Sequence, residues 1–367
     1  MNDTNLIISH SCKPKVLLLG QIPFQVFDVV KPIFHTHNAQ IIDSVVSFIN
    51  EWNNDLDFFV TQTSGSTGIP KEIKILKKHA IQSSLNTAKA LSLKKGDRAF
   101  LCLNPDTIGG KMMIVRAIVL ELQLIVGDIS ANPLEKCNTT IDFMAIVPLQ
   151  LKEMIQQNSE KLHAIKNIIV GGGIISEQLE RQLINSQLTV FQTFGMTETI
   201  SHIALKKVGL NGSDSYEVLP TISISTKNSR LEIHAPSIGV DHLLTNDCIE
   251  LIDPTHFTWL GRSDFVINSG GVKIHPEIIE KALSALISAP FFVAGIEDEK
   301  FGQKLILAIE SEPDHRFNSK SFYSSLPQYH IPKEIWFYNS FERTKSDKIN
   351  RLLTLKQRHA ARIEQIS

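Results

Sequence analysis

The amino-acid sequence predicts an α/β protein, with a large N-terminal domain of layered β-sheets and helices joined by a hinge to a small α+β C-terminal domain. Apolar runs of strand length alternate with stretches of helical periodicity over most of the 367 residues. Three predicted strands end in polar or glycine-rich loops, and beyond residue 231 the pattern changes to short strands and turns. A chain of this length can bury the cores of two domains.

The N-terminal half begins with two predicted buried strands, residues 15–19 and 58–61. The second strand leads into a polar loop, residues 63–71. A helix follows, with Ile81 and Leu85 on one face.

The order of strand, loop and helix recurs further along the chain. An apolar run at 166–170 ends in the glycine triplet 171–173, and a strand at 188–191 leads into the loop 194–198. Ligands of open α/β sheets bind beyond the carboxyl ends of the strands. We therefore expect these loops to line one crevice.

The predicted small domain begins at residue 264. Its best-marked helix starts at Pro276, with Glu277 in the first turn. The predicted domains are a large one, residues 1–263, and a small mobile one, residues 264–367.

Composition excludes several classes of protein. Lysine and arginine total 37 and aspartate and glutamate 38, a net charge of −1 that predicts no nucleic-acid partner. Arg116 and Glu121 interrupt the most apolar stretch, residues 112–127, which indicates a core helix and strand and no membrane partner. Four scattered cysteines indicate neither a zinc site nor a disulfide framework. Without a recognisable secretory signal we expect a cytoplasmic protein; the oligomeric state stays open.

The loop 63–71 concentrates glycines, hydroxyls and a lysine in nine residues. Glycines let backbone N–H groups approach phosphate oxygens, hydroxyls donate further hydrogen bonds, and the lysine supplies countercharge. Pro70 precedes the lysine, so this is not a Walker A loop, and a solvated turn is the alternative interpretation. The candidate phosphate-binding residues are Thr63, Ser64, Gly65, Ser66, Thr67, Gly68 and Lys71.

Through this loop and further motifs in the same order, residues 58 to 351 resemble the adenylate-forming superfamily of acyl-CoA and aryl-CoA synthetases, peptide-synthetase adenylation domains and firefly-type luciferases. The other segments that carry the resemblance are 171–173, 194–198, 245–247, 261–264 with 270–271, and 343–348. The resemblance implies an acyl-adenylate formed from ATP with Mg²⁺, followed by transfer of the acyl group to CoA.

The resemblance also implies roles for single residues. Lys348, Thr197 and Glu198 take catalytic roles, and Glu198 holds the magnesium ion. The implied ATP or AMP contacts outside the loop are Gly171, Gly172, Gly173, Phe194, Gly195, Met196, Thr197, Asp247 and Arg262.

The implied second half-reaction needs a rotation of the small domain. Asp264 is the implied hinge, and the rotation turns Gly270 and Gly271 toward CoA. Asn246 and Asp347 stand where the family has glycine, and neither change removes a functional side chain. Fewer residues precede the phosphate loop than is usual in the family, so we expect a large domain truncated at its N-terminus.

Two stretches, residues 108–116 and 197–202, resemble short bacterial o-succinylbenzoate-CoA ligases of menaquinone biosynthesis. In this interpretation Lys111 or Arg116 meets a second carboxylate of the acid. A helix cap at Arg116 and a structural histidine at His202 are the alternatives. The candidate acid-binding residues are Lys111, Arg116, Thr199, Ser201 and His202.

The predicted function is ATP-dependent activation of o-succinylbenzoate and its transfer to CoA, with release of AMP and pyrophosphate. The alternatives are a ligase for another aryl or acyl acid and a degenerate, non-catalytic adenylate-binding protein.

Overall fold

The computed structural model describes residues 16–19, 22–25, 30–62, 72–344, 349–357 and 362–366. The predicted phosphate loop 63–71 and the predicted catalytic Lys348 lie outside the described residues. In chain order the strands are β1 (Val16–Leu19), β2 (Ile22–Gln25), β3 (Ile33–Phe34), β4 (Phe58–Gln62), β5 (Glu72–Leu76), β6 (Arg98–Leu101), β7 (Gln123–Val126), β8 (Phe143–Ile146), β9 (Asn167–Val170), β10 (Thr189–Gly195), β11 (His202–Gly209), β12 (Tyr216–Val218), β13 (Ser223–Lys227), β14 (Arg230–Ala235), β15 (Val240–Asp253), β16 (His256–Arg262), β17 (Ile267–Ser269), β18 (Val272–Ile274), β19 (Phe291–Asp298), β20 (Gly302–Glu310), β21 (Glu334–Tyr338) and β22 (Arg362–Gln365). The helices are α1 (Ala39–Asn53), α2 (Lys77–Leu91), α3 (Ile108–Val119), α4 (Pro148–His163), α5 (Glu177–Asn185), α6 (Pro276–Leu283) and α7 (Arg351–Lys356).

The larger part of the chain is organised around one mixed sheet, with strand order β13-β14-β15-β16-β12-β11-β10-β9-β8-β6-β7-β3. Strands β3, β7, β6, β8, β9 and β10 pair in parallel, and β10 to β16 extend the sheet with antiparallel pairs. Parallel strands need crossover helices, and these helices cover both faces of the sheet. The predicted α/β fold class is confirmed.

The parallel strands are apolar on both sides because a separate core lies against each face. Phe100 and Leu101 are neighbours on β6, yet they belong to different clusters. Leu101 packs in the cluster that contains Met112 of α3, and Phe100 packs with Leu151 of α4 and Leu183 of α5. The carboxyl ends of β8, β9 and β10 therefore open between two helical layers, where ligands of such sheets bind.

Strands β4 and β5 form a separate antiparallel hairpin, in which Gln62 pairs with Glu72. These two residues flank the loop 63–71. The ladder between the strands therefore holds these two flanking residues side by side.

At the opposite end of the parallel strands, Asp142 joins three strands. Its Oδ2 accepts the backbone N–H of Arg98 at 3.0 Å and Nε of Arg98 at 2.8 Å, and its Oδ1 lies 2.9 Å from Nζ of Lys166. The hydrogen bonds from Arg98 hold the pKa of the Asp142 carboxyl well below its usual value. This buried carboxylate therefore ties the starts of β6, β8 and β9 together.

Replacing Asp142 with asparagine is expected to lower the free energy of unfolding by about 1–2 kcal/mol at pH 7, because a neutral amide loses the charge-assisted hydrogen bonds that the carboxylate accepts from Arg98 and Lys166. A carboxyl with a lowered pKa stabilises the fold above the ordinary aspartate pKa of about 3.9, and this stabilisation is lost as the pH falls through the lowered value. Urea unfolding should therefore show a smaller difference between variant and parent at about pH 3. The exposed Asp57→Asn change is the control, and an equal difference at both pH values would contradict this account.

The C-terminal part has its own sheet, with order β18-β17-β20-β21-β22 and β19 paired to β20. The predicted helix at Pro276 is α6, and Ile279 and Leu283 bury its apolar face against this sheet. The last strand of the large sheet ends at Arg262, and the first strand of the small sheet begins at Ile267. The predicted boundary at 263/264 falls between them and stays a prediction.

Across the part of the chain that the structure describes, none of the helices combines the length and the apolar character needed to cross a bilayer. The apolar stretch 112–127 forms most of α3 and the whole of β7, both of which lie in the core.

Candidate active site

The carboxyl end of β10 forms a tight turn that returns the chain into β11. A Cβ atom on Gly195 would lie 2.4 Å from the carbonyl oxygen of Ser201, so glycine is required where the two segments meet. The buried Thr199 lies in the turn between them; its hydroxyl accepts the N–H of Met196 at 3.0 Å and lies 2.8 Å from the Ser201 carbonyl oxygen. The hydroxyl of Thr199 therefore maintains the shape of the turn, whereas the sequence analysis expected it beside the acid.

The turn presents Glu198 to solvent and leaves Thr197 half-buried. Ile200 follows with φ of 66°, a conformation that β-branched residues avoid. Backbone strain of this kind is common where a functional loop is held from both sides. An exposed carboxylate here suits Mg²⁺, which usually binds one or two protein carboxylates together with substrate phosphates.

The glycine triplet lies at the end of β9, next to β10. The N–H of Gly171 donates to the Ile146 carbonyl oxygen at 2.9 Å, and a Cβ atom on Gly171 would lie 2.7 Å from Oγ1 of Thr193. Gly172 has φ of 76°. Without side chains, this backbone can approach a ligand closely at the crevice.

Arg116 is a buried cation on α3, beside the same turn. It is 2% exposed, and burial lowers its pKa to about 10, so it stays charged at neutral pH. Its NH2 group donates to Oγ of Ser201 at 2.7 Å, and its Nε donates to Oγ1 of Thr87 at 3.4 Å. No carboxylate of the described residues pairs with it. A buried charge without a counterion is costly, so an anion that bound beside this guanidinium would gain a charged partner.

His202 completes the cluster around Arg116. Its ring lies between two hydroxyls, with Nδ1 3.3 Å from Oγ of Ser201 and Nε2 3.2 Å from Oγ1 of Thr87. Burial, together with the positive charge of Arg116, holds the pKa of His202 well below its usual value. The imidazole is therefore neutral at physiological pH.

Lys111 lies away from this cluster, although it is on the same helix. Its Nζ donates to the Val60 carbonyl oxygen at 2.6 Å, lies 3.7 Å from Oε2 of Glu51 and is 4.9 Å from the ring centre of Phe48. Two cations, Lys111 and Arg116, are the candidates for the second carboxylate. Arg116 lies beside Ser201 and His202, whereas Lys111 contacts residues of α1 and β4.

Asp247 lies on β15 opposite Arg262 of β16 and is buried. Its Oδ1 accepts the indole N–H of Trp259 at 2.9 Å, and its Oδ2 lies 4.0 Å from the Arg262 guanidinium. Sequence reasoning missed Trp259 because no motif marks it and its partner is on the neighbouring strand. An oriented carboxylate of this kind can accept hydrogen bonds from vicinal hydroxyls.

Phe194, which the resemblance assigns to adenine, belongs to an aromatic cluster. Its ring packs edge-on against Tyr216 at 5.6 Å and Phe257 at 5.2 Å between ring centres. Burial and the nearby Asp247 carboxylate raise the pKa of Tyr216. The aromatic cluster and Asp247 therefore share one region of the site. No sequence motif marks Tyr216 or Phe257, which lie on neighbouring strands.

The predicted hinge residue Asp264 is held by donors from the end of the large sheet. Its Oδ2 accepts Nδ2 of Asn246 at 3.3 Å and NH2 of Arg262 at 3.0 Å. Oδ1 of Asn246 in turn accepts NH2 of Arg230 at 2.7 Å. The asparagine that replaces the family glycine thus links β14 to Asp264.

The small sheet meets the large one through α6. Oε1 of Glu277 accepts the N–H of Arg262 at 3.1 Å, and a Cβ atom on Gly261, which has φ of 148°, would lie 2.2 Å from Oε2 of Glu277. Nζ of Lys281 on α6 lies 3.7 Å from Oε2 of Glu180 on α5. Only glycine at position 261 permits this contact.

Gly270 and Gly271, the predicted CoA contacts, form the exposed turn between β17 and β18, with φ of 58° and 83°. The predicted catalytic lysine lies in the segment 345–348, outside the described residues. Among the residues that flank this segment, the N–H of Asn350 donates to the Glu342 carbonyl oxygen at 2.7 Å.

The profile of a family described as "AMP-binding enzyme" matches residues 35–239. The chain is 26% identical over 335 residues to a 2-succinylbenzoate–CoA ligase of Bacillus cereus, covering 80% of this chain and 68% of that one. Among solved structures, the AMP-forming acyl-CoA synthetase/AMP-acid ligase II-like protein of Dyadobacter fermentans is 35% identical, with a TM-score of 0.59 and coverage of 88% of this chain and 95% of that one. An o-succinylbenzoate coenzyme A synthetase of Bacillus subtilis, in complex with ATP and magnesium ion, shares the fold with a TM-score of 0.69 at 20% identity. The match covers 81% of this chain and 69% of that one. The chain belongs to the AMP-binding enzyme family.

Proposed function

We propose that this chain is an AMP-forming acid–CoA ligase that activates o-succinylbenzoate. The observation that carries the proposal is the buried, positively charged Arg116, which pairs with no carboxylate of the described residues and lies beside Ser201. A dicarboxylic acid can present one carboxylate for activation and the other to this guanidinium. The curated relatives named 2-succinylbenzoate–CoA ligase support the choice of acid.

The proposed chemistry has two balanced steps. A carboxylate oxygen of the acid attacks the α-phosphorus of ATP and pyrophosphate leaves. The thiol of CoA then loses its proton to solvent, its sulfur attacks the acyl carbon, and AMP leaves with the electron pair of the broken C–O bond. The first step joins two anions, so the site must neutralise charge and hold the reactants in line.

Each proposed role follows from the charge and position of the residue. The loop 63–71 would bind the departing pyrophosphate, Asp247 would accept the ribose hydroxyls, and Glu198 would hold Mg²⁺, which neutralises phosphate charge when bound. Lys348 would stabilise the charge that develops at the α-phosphate. The glycines 171–173 would line the nucleotide crevice.

We also propose that residues 1–263 and 264–367 act as two domains with a hinge at Asp264. A rotation of the small domain would move Lys348 away from the site and bring Gly270 and Gly271 to it, so that CoA could reach the acyl-adenylate. We place the reaction in the cytoplasm, where three buried cysteines, Cys102, Cys137 and Cys248, would stay as free thiols.

The test is a panel of acids with ATP, Mg²⁺ and CoA, measured as pyrophosphate release and as CoA-dependent AMP release. We expect kcat/KM for o-succinylbenzoate to exceed that for benzoate by about 100-fold or more, because benzoate leaves the buried cation unpaired. Preference for a medium-chain fatty acid would favour a ligase for another acid. Nucleotide binding without turnover of any acid would favour the non-catalytic alternative.

A further inference from the structure

The donor and the acceptor of each hydrogen bond around Arg116 can be assigned from the number of protons that each group carries. Oγ1 of Thr87 lies 3.0 Å from the Ser83 carbonyl oxygen, and a carbonyl oxygen only accepts, so the hydroxyl proton of Thr87 is donated there. The oxygen of Thr87 must then accept from its two other neighbours, Nε of Arg116 at 3.4 Å and Nε2 of His202 at 3.2 Å. Nε2 of His202 therefore carries a proton.

The second ring nitrogen of His202 fixes the proton of Ser201. Because the imidazole is neutral, a proton on Nε2 leaves Nδ1 as an acceptor. The neighbour of Nδ1 is Oγ of Ser201 at 3.3 Å, so Ser201 donates its proton to His202. A lone pair of the Ser201 oxygen then faces the NH2 group of Arg116 at 2.7 Å.

We infer that His202 is a positioning residue for acid selectivity. By accepting the hydrogen bond of the Ser201 hydroxyl, it makes the Ser201 oxygen an acceptor for Arg116 and leaves the guanidinium as the group that receives the second carboxylate. This inference rests on the proposed function. A subsite that offers only charged donors matches a carboxylate, which only accepts. It disfavours a carboxamide, whose NH₂ group would face other donors.

The protonation state of the ring can be measured without any acid. The chain has 13 histidines, so the ¹⁵N signals of His202 are assigned by their loss in His202→Gln. At pH 7 we expect a protonated Nε2 and an unprotonated Nδ1. The opposite tautomer, or a doubly protonated ring, would overturn the inference whatever the enzyme does with acids.

Two replacements of His202 separate positioning from packing. The amide of His202→Gln reaches Thr87 but offers no acceptor at the Nδ1 position, whereas the amide oxygen of His202→Asn lies close to that position. We expect KM for o-succinylbenzoate to rise about 10-fold in His202→Gln and about 3-fold or less in His202→Asn, because only the first leaves the Ser201 proton without its partner. KM for ATP should change less than about 2-fold in both. Equal increases in KM for the acid would mean that His202 acts by packing alone.

Thr87 gives a second pair of variants if either His202 variant fails to fold. Thr87→Ser keeps the hydroxyl and should keep the tautomer and KM for the acid, whereas Thr87→Val removes the acceptor of the Nε2 proton and should raise that KM. If the enzyme turned over o-succinylbenzoate but His202 had the opposite tautomer, the role of His202 would be wrong and the proposed function would stand. The expected tautomer with no acid turned over would refute the proposed function, and the selectivity role with it.

Discussion

Arg116→Met is expected to lower kcat/KM for o-succinylbenzoate by about 100-fold or more, without lowering the free energy of unfolding. The second carboxylate of the acid would lose its charged partner inside a buried site, a loss of about 2–5 kcal/mol in binding. In the free protein the same change removes a buried cation that pairs with no carboxylate of the described residues, and the relief of its desolvation cost offsets the loss of its hydrogen bonds to Thr87 and Ser201. Steady-state kinetics with varied acid and urea unfolding measure the two effects.

The matched control is Lys111→Met, on the same helix. Lys111 donates to the Val60 carbonyl oxygen and contacts the Phe48 ring, so this change should lower stability and leave KM for the acid near its original value. KM for ATP should stay within about 2-fold in both variants. The opposite pattern, with acid binding lost in Lys111→Met and kept in Arg116→Met, would contradict the assignment of the carboxylate to Arg116.

Lys348→Ala is expected to slow formation of the acyl-adenylate by about 100- to 1000-fold, because a positive group aimed at developing charge is removed from the transition state. Transfer of the acyl group from a supplied acyl-adenylate to CoA should change less than about 3-fold, since the proposed rotation of the small domain withdraws the lysine before this step. The Asn350–Glu342 hydrogen bond is made by backbone atoms of residues outside the segment 345–348, so the substitution should not disturb it.

Single-turnover measurements with radiolabelled ATP follow the first half-reaction, and thioester formation from synthetic acyl-adenylate follows the second. Lys345→Ala, in the same segment, is the matched control for general loss of positive charge. Equal loss of both half-reactions in Lys348→Ala would contradict its role as the adenylation residue.

Much of this site could be predicted from local chemistry. Gly195 is required by a contact a few residues away, Gly171 has a close contact with the neighbouring strand, and Gly172 has a positive φ, so a glycine motif after a predicted strand is a sound guide. The helix at Pro276 was similarly marked by its own first turn.

The choice between Lys111 and Arg116 could not be made from sequence. Five residues along a helix place the two side chains about 140° apart, so at most one can face the acid. Which of them does so depends on how α3 packs against α1 and α2, and no local pattern encodes that packing.

Contacts between residues that are far apart in the sequence could not be predicted either. Thr87 and His202 are 115 positions apart, and the Trp259 indole meets Asp247 only because β15 and β16 pair in one particular register. The partners of these polar side chains cannot be predicted from sequence periodicity, because they depend on the order and register in which the strands pair.

The contact between Gly261 and Glu277 has a practical consequence for exchanging the C-terminal parts of related chains. The absence of a side chain at position 261 matters because of a carboxylate 16 positions later, on helix α6, which packs against the other sheet. A crossover placed between these two positions could combine a bulkier residue with the glutamate and block the seating of α6. Hybrid ligases should therefore inherit both residues from the same parent.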